Sequence, residues 1–157
     1  MGPSLFGPAS LGKYVLAYFA AALTFVAMDF VWLSQMGPRL YTAELGDLFT
    51  DKPSIGPAIL FYVVYLFGVV VLCIAPALKA GDWRKAALKG AVLGLCAYAT
   101  YDLTNQATLR IWSLKVTVLD LVWGVFVTAV TASAGFFATW KVIHARGGRA
   151  SKNGSMT

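Results

Sequence analysis

The stretch that decides the fold class covers residues 57–78, PAILFYVVYLFGVVVLCIAPAL, 22 residues without a charged side chain. An α-helix needs about 20 apolar residues to cross the hydrocarbon core of a bilayer, so this stretch is long enough to span it. Backbone N–H and C=O groups in lipid have no water to bond, and a helix pairs them within the segment itself. The sequence therefore predicts a transmembrane helix over these residues.

Three more stretches support the same interpretation, namely residues 14–33, 86–106 and 114–140. Of the 157 residues, 59% are hydrophobic and 13% are charged, against about 45–50% and about 25% in soluble domains. These values exclude a soluble enzyme, a secreted disulfide scaffold and a disordered chain. We expect an all-α protein, an integral membrane four-helix bundle over residues 14–140. An N-terminal segment over residues 1–13 precedes it, and a polar tail over residues 141–157 follows.

Lysine and arginine predict the orientation of this bundle. With four spans, the N-terminus, the second loop and the C-terminal tail share one side, and nine of the 13 cations lie there. Cations concentrate on the cytoplasmic side of membrane proteins, so both termini are predicted to be cytoplasmic. The expected partner of this charge is the lipid bilayer with its anionic headgroups, and not nucleic acid. The nine cations are Lys13, Lys79, Arg84, Lys85, Lys89, Lys141, Arg146, Arg149 and Lys152, and the other four are Arg39, Lys52, Arg110 and Lys115.

Three carboxyl groups lie inside the predicted spans, at Asp29, Asp102 and Asp120. Counted along the helices at about 1.5 Å per residue, all three reach the same depth, roughly 6–10 Å below the outer surface. A carboxylate at the centre of a membrane helix raises the free energy of insertion by about 2.5–3.5 kcal/mol, and by less toward the edge. Three of them therefore need hydrogen-bond partners, water or a function that retains them. This coincidence predicts a polar cavity in the outer half of the bundle.

Aromatic and amide side chains accompany these carboxyl groups. Tyr98, Tyr101 and Asn105 share one face of the third helix with Asp102, and the first and last spans repeat an Asp-x-Val-Trp pattern at residues 29–32 and 120–123. Adhesion between helices and an aromatic belt at the membrane interface are the structural alternatives. The candidate ligand-binding residues are Asp29, Asp102, Asp120, Tyr98, Tyr101, Asn105, Trp32, Trp123, Tyr62 and Tyr65.

The longest loop, residues 34–56, contains a helical pattern of apolar residues. This pattern predicts a short amphipathic helix at the outer interface, directly above the three aspartates. It could act as a lid or as an interfacial anchor. Its apolar positions are Leu40, Tyr41, Leu45, Leu48 and Phe49.

Small residues predict tight packing at the cytoplasmic half of the bundle. Gly90 and Gly94 form a small-xxx-small pattern, which lets two helix backbones approach closely. Under the hypothesis of an accessory subunit, the same face would dock on a larger membrane protein.

Other chemistries find little support in the sequence. The one histidine, His144, lies in the tail, so no histidine-based metal site or serine triad is expected in the bundle. No phosphate-binding glycine loop or paired cysteine motif is present, and we expect neither a metal nor a cofactor. Catalytic residues stay unassigned. If the protein has an activity, proton transfer by one aspartate is the expected chemistry.

Several segments together resemble a known family. They are Asp29-Phe-Val-Trp-Leu, Phe61-Tyr-Val-Val-Tyr with Pro76, Gly94 with Tyr98-Ala-Thr-Tyr-Asp-Leu-Thr-Asn105, and Asp120-Leu-Val-Trp-Gly124. The chain is similar over these spans to bacterial membrane proteins known as domain of unknown function 2177. The resemblance implies a multi-pass protein of the bacterial inner membrane without an assigned activity. Genes of such proteins lie near lipid-modifying methyltransferases and flavin oxidoreductases, which points by association to membrane-lipid modification or stress response.

Three functional hypotheses follow from these observations. The first is an outer-half cavity, lined by aspartate, tyrosine and tryptophan, that binds a small molecule or a lipid headgroup. The second is a structural or accessory subunit that packs against a larger membrane complex. The third is a small transporter that works as a homo-oligomer, because four helices alone rarely enclose a path.

Overall fold

The computed structural model describes residues 8–48 and 52–154, and in these residues all regular structure is helical. The chain begins with α1, Pro8–Met36, which continues into a π-helical turn, Gly37–Tyr41, then α2, Thr42–Leu45, and a 3₁₀ turn, Gly46–Leu48. A second rod consists of α3, Ile55–Gly68, a π-helical stretch, Val69–Ile74, and α4, Ala75–Ala80. Two long helices complete the chain, α5 over Trp83–Thr108 and α6 over Leu114–Gly154.

Three helices in the described residues are long and apolar enough to cross a membrane: Leu11–Leu45, Ile55–Ala80 and Leu114–Ala145. The fourth, α5, contains the predicted span 86–106 and has sufficient length, but its hydropathy is lower. Its charged and amide groups explain this, because Arg84, Lys85, Lys89, Asp102 and Asn105 all lie on it. Helices are therefore present at all four predicted spans. Three of them are long and apolar enough to be membrane spans.

Helix α6 runs past both α5 and α1 in antiparallel fashion and packs against each of them. The face of α5 that meets α6 repeats every four residues, and its most closely packed members are Gly90 and Gly94. A Cβ atom placed on Gly90 would lie 2.7 Å from the Thr128 carbonyl oxygen, and one on Gly94 would overlap the Gly124 carbonyl group. Only glycine permits this approach of two backbones.

The surface that the packed helices leave exposed is largely apolar. Leu23, Phe30 and Phe67 expose 76%, 72% and 63% of their side chains. Apolar surface on this scale is unfavourable in water and is what a lipid environment requires. Several hydroxyl groups bond to a carbonyl oxygen of their own helix four residues earlier, as Thr24 does to Ala20 and Thr100 to Cys96, which leaves fewer polar groups for lipid to solvate.

Pro76 interrupts the hydrogen-bond ladder of the second rod without ending the helix. The helix continues past this proline to Ala80. Proline has no N–H to donate to the preceding turn, and the residues directly before it form the π-helical stretch Val69–Ile74. The rod ends at Gly81, whose φ of 66° is a left-handed conformation that glycine adopts easily. Asp82 then caps α5 by accepting a hydrogen bond from the Arg84 N–H.

The residues after α1 form a short segment that folds over the start of α6. We call residues 37–48 the cap segment. Its Leu40 and Leu45 side chains are buried against Val116, and the Glu44 carboxylate accepts hydrogen bonds from Ser113 and Lys115 at 2.8 Å and 3.0 Å. The cap segment continues the helical rod of α1. Its expected position at the membrane interface stays a prediction. Phe49, which was assigned to the same apolar stripe, lies outside the described residues.

Candidate functional site

Asp29 is held by a tyrosine of the second rod. Its side chain is buried, and the Tyr62 hydroxyl donates a 2.6 Å hydrogen bond to its Oδ2 atom. The indole nitrogen of Trp123 lies near the same carboxyl group but outside hydrogen-bond geometry. Three separate elements, α1, α3 and α6, therefore meet at this one carboxyl group.

Asp120 is held by the cap segment. The Tyr41 hydroxyl donates a 2.5 Å hydrogen bond to Asp120 Oδ1, and the same hydroxyl accepts a 2.9 Å bond from the indole N–H of Trp32. Tyr41 is the last residue of the π-helical turn Gly37–Tyr41. This turn follows α1 directly. The same helical rod therefore carries both Trp32 and Tyr41, and Tyr41 contacts α6 at Asp120.

The two Asp-x-Val-Trp segments face each other in the structure. The rings of Trp32 and Trp123 stack with their centroids 4.4 Å apart and their planes 8° from parallel. Because α1 and α6 are antiparallel, each tryptophan lies beside the aspartate of the opposite segment: Trp123 is near Asp29, and Trp32 reaches Asp120 through Tyr41. The sequence repeat thus corresponds to a local two-fold arrangement around the stacked rings.

A cleft of about 420 Å³ opens beside this stack. Six of its ten lining residues are aromatic, two are acidic and none is basic. The volume falls within the range of about 300–1,000 Å³ that is usual for ligand pockets. The lining residues are Asp29, Trp32, Leu33, Tyr41, Phe61, Ala97, Tyr98, Tyr101, Asp120 and Trp123.

Asp102 lies in the protein interior close to Asp120 and does not line the cleft. Its side chain is 0% exposed, and neither of its oxygens has a hydrogen-bond partner among the described residues. It is near enough to Asp120 for the two charges to repel each other. A buried acceptor without a partner is costly, so this carboxyl group is unfavourable for the fold taken alone.

The structure distributes the ten predicted residues in four places. Six of them line the cleft: Asp29, Trp32, Tyr98, Tyr101, Asp120 and Trp123. Tyr62 and Asp102 lie behind it, the first bonded to Asp29. Tyr65 is buried lower in the bundle, where its hydroxyl shares a 2.7 Å hydrogen bond with Thr128, and Asn105 is half-buried away from the lining.

Four lining residues were missing from the predicted site: Leu33, Tyr41, Phe61 and Ala97. Tyr41 was assigned to the apolar stripe of the cap segment, because its spacing matches Leu40 and Leu45. Its hydroxyl was the available signal, since a tyrosine on an apolar stripe needs a hydrogen-bond partner when it is buried. Phe61 and Ala97 are adjacent in sequence to Tyr62 and Tyr98, and only the packing shows that they face the cleft.

Gly90 and Gly94 are occupied within the chain. Their face is covered by Thr128, Ala129, Ala132 and Gly124 of α6. The two glycines therefore pack within the chain, as the small-xxx-small pattern predicts, and docking on a larger membrane protein stays a prediction.

A second polar chain connects the ends of α5 and α6. The indole N–H of Trp112 donates to Thr117 Oγ1 at 3.0 Å, and this hydroxyl donates to Gln106 Oε1 at 3.0 Å. Tyr101 packs edge-on against the Trp112 ring. These residues position the rim of the cleft. No spacing in the sequence indicates this contact, because the loop between the two helices sets it.

The arrangement suits non-covalent binding. Among the described residues no three histidine, cysteine or acidic side chains lie close enough to share a metal ion. The two lining carboxyl groups are fixed by tyrosine hydroxyls and face aromatic rings, so they can attract and orient a charged or polar group. The described residues that line the cleft include no histidine, serine or cysteine.

Comparison with known protein families gives a match over most of the chain. Residues 14–137 match the family described as Predicted membrane protein (DUF2177), which confirms the resemblance seen in the sequence. No curated protein and no solved structure matches the chain. The match covers most of the 157 residues, including both Asp-x-Val-Trp segments and every residue that lines the cleft. The chain belongs to this family of predicted membrane proteins.

Proposed function

We propose that this protein is a multi-pass protein of the bacterial inner membrane that binds a small molecule or a lipid headgroup in the cleft between α1 and α6. The observation that carries the proposal is the fixed pair of carboxyl groups in an aromatic cleft. Asp29 and Asp120 are each oriented by a tyrosine hydroxyl. Carboxyl groups in membrane helices are expensive, and adhesion between helices alone does not require an open cleft beside them.

The proposed topology places four helices across the membrane, both termini in the cytoplasm and the cleft in the outer half. The asymmetry of nine cations against four supports this orientation. The exposed apolar surface supports a lipid environment for all four rods. In this orientation the cap segment covers the outer end of α6, close to the cleft, and the polar part of the chain from residue 141 onward lies in the cytoplasm.

An accessory role in membrane-lipid modification fits a cleft at this depth. A lipid headgroup lies at the level where the three aspartates are expected, so it could enter from the side without leaving the bilayer. The resemblance to proteins whose genes neighbour lipid-modifying methyltransferases supports this role by association. We assign no catalytic residue.

The test is to fill the cleft without changing its charge. Ala97 lines the cleft, and Ala97→Leu places extra carbon atoms in its space. Ala58→Leu makes the same change at an exposed position on α3 and serves as the matched control. Both full-length variants and the wild type are purified from their membranes in mild detergent, and native mass spectrometry measures bound small molecules and lipids.

We expect a stoichiometric bound species in the wild type and in Ala58→Leu, and its loss in Ala97→Leu. Equal amounts of every bound species in the three proteins would overturn the proposal, and so would the absence of any stoichiometric species. A protein partner that co-purifies at one-to-one ratio in place of a small molecule would favour the accessory-subunit hypothesis.

A further inference from the structure

We infer that the occupant of the cleft carries an organic ammonium group, either as a free amine or quaternary ammonium compound or as the headgroup of a lipid. This inference rests on the proposed function and names the chemical class of the ligand. Three features of the described residues support it: the sign of the charge, the character of the walls and the hydrogen-bond pattern.

The charge at the cleft is negative. Among the described residues of its lining, Asp29 and Asp120 are acidic and none is lysine or arginine. Lys115 forms an ion pair with Glu44 of the cap segment. It lies at the start of α6 and does not reach the cleft. An anionic ligand would meet repulsion from the carboxylates, whereas a cation would supply the missing counter-charge.

The walls of the cleft are built of aromatic rings. The faces of tryptophan and tyrosine rings attract cations through the ring quadrupole, and this attraction is strongest for ammonium groups shielded from water. Tyr98 packs on Gly124 of α6, and Trp32 stacks on Trp123. Their rings are therefore immobilised before a ligand enters, which reduces the entropy lost on binding. Rigid aromatic walls together with carboxylates are the usual means by which proteins recognise ammonium groups.

The hydrogen-bond pattern also fits an ammonium ligand. The tyrosine hydroxyls of Tyr62 and Tyr41 already donate to Asp29 and Asp120, and no lysine or arginine lines the cleft. A neutral sugar or peptide would leave the charge of the two carboxylates uncompensated. A quaternary ammonium group needs no hydrogen-bond partner, because it binds through charge and ring contact.

The experiment compares three probes of nearly the same shape. Choline is the cation, 3,3-dimethyl-1-butanol is its neutral counterpart, and 3,3-dimethylbutyrate is an anion of similar bulk. Binding to the full-length protein in nanodiscs is measured by calorimetry. The variants are Asp29→Asn and Asp120→Asn, and the matched control is Asp82→Asn, since asparagine also caps a helix and Asp82 precedes α5 at the end opposite Asp102.

We expect choline to bind at least about tenfold more tightly than the other two probes, and either cleft variant to weaken it about tenfold. Asp82→Asn should bind choline like the wild type. The comparison of probes on the wild type needs no variant, so it stays decisive if a cleft variant fails to fold.

Nanodisc composition separates the two sources of ammonium. A lipid ligand would compete with choline, so choline would bind more weakly in phosphatidylethanolamine nanodiscs than in phosphatidylglycerol nanodiscs, whereas for a free ligand the two would agree. The ammonium inference would be overturned if the neutral or the anionic probe bound as tightly as choline or more tightly. If Ala97→Leu abolished that binding, the proposal of a binding cleft would still hold. Failure of all three probes would overturn the inference as well, while the bound species found by mass spectrometry would still decide the proposed function.

Discussion

The indole rings of Trp32 and Trp123 stack face to face, 4.4 Å between centroids and 8° from parallel, across the contact of α1 and α6. Each ring comes from a segment of the form Asp-x-Val-Trp. Because the two helices pack antiparallel, Trp32 reaches Asp120 through Tyr41. Trp123 in turn lies near Asp29. The stack fixes the separation of α1 and α6 at the level of the cleft, and both carboxyl groups take their positions from it.

The stack should contribute to stability as a coupled pair. Aromatic pairs contribute about 0.5–1.5 kcal/mol beyond the burial of their surface, so Trp32→Leu and Trp123→Leu should show a coupling free energy of this size in a double-mutant cycle. Unfolding in mixed micelles of denaturing and mild detergent measures it. The control pair is Trp123→Leu with Trp83→Leu, because Trp83 packs on Phe137 in another part of the bundle. Coupling as large in the control pair would contradict the prediction.

Tyr41→Phe should destabilise the protein more than Tyr62→Phe does. The Tyr41 hydroxyl serves two partners, Trp32 and Asp120, while the Tyr62 hydroxyl serves Asp29. Hydrogen bonds to charged groups contribute about 1.5–3 kcal/mol each, and neutral ones about 0.5–1.5 kcal/mol. The free energy of unfolding of the two variants tests the order. An equal loss would mean that the Trp32 bond contributes nothing.

Asp102→Asn should leave the free energy of unfolding unchanged or raise it. Both oxygens of Asp102 are buried without a partner among the described residues, so asparagine loses no hydrogen bond there and removes the cost of a buried charge. The substitution also removes a negative charge next to Asp120. Asp120→Asn, which weakens the bond to Tyr41, is the comparison and should be destabilising. A loss of stability in Asp102→Asn as large as in Asp120→Asn would contradict this assignment.

Gly94→Ala should disturb the packing of α5 on α6. The added Cβ would overlap the Gly124 carbonyl group, and a backbone atom in a helix cannot move aside, so a cost of about 1–3 kcal/mol is expected. Gly68→Ala is the control, since nothing lies within 4 Å of its Cβ position and alanine favours helix by up to about 1 kcal/mol over glycine. Thermal unfolding should move in opposite directions in the two variants.

The cap segment should depend on its apolar contacts more than on its ion pair. Leu45 is 3% exposed, and Leu45→Ala should cost about 2–5 kcal/mol. Lys115 is 61% exposed, so Lys115→Ala removes an interaction that water and salt screen. Limited proteolysis between α2 and α3 measures the release of the segment. Faster cleavage in Lys115→Ala than in Leu45→Ala would reverse the assignment.

The sequence determined the helices and the membrane environment, because both depend on local properties of the chain. A run such as residues 57–78 has to be helical in lipid wherever its neighbours lie. Counting along the helices also placed Asp29 and Asp120 at one level, since the rise per residue of a helix is constant. The apolar stretch predicts a membrane span that ends at residue 140. Helix α6 continues past this stretch to Gly154.

The tertiary structure decided which of these groups face each other. Residues 98, 101, 102 and 105 share a helix face, yet Tyr98 and Tyr101 line the cleft while Asp102 turns into the interior. Tyr41 reaches Asp120 across 79 residues of sequence, through a π-helical turn that no periodicity indicates. The sequence determined how deep each side chain lies along its helix, and the rotation of each helix about its axis, which depends on packing against the other helices, decided which side chains form the site.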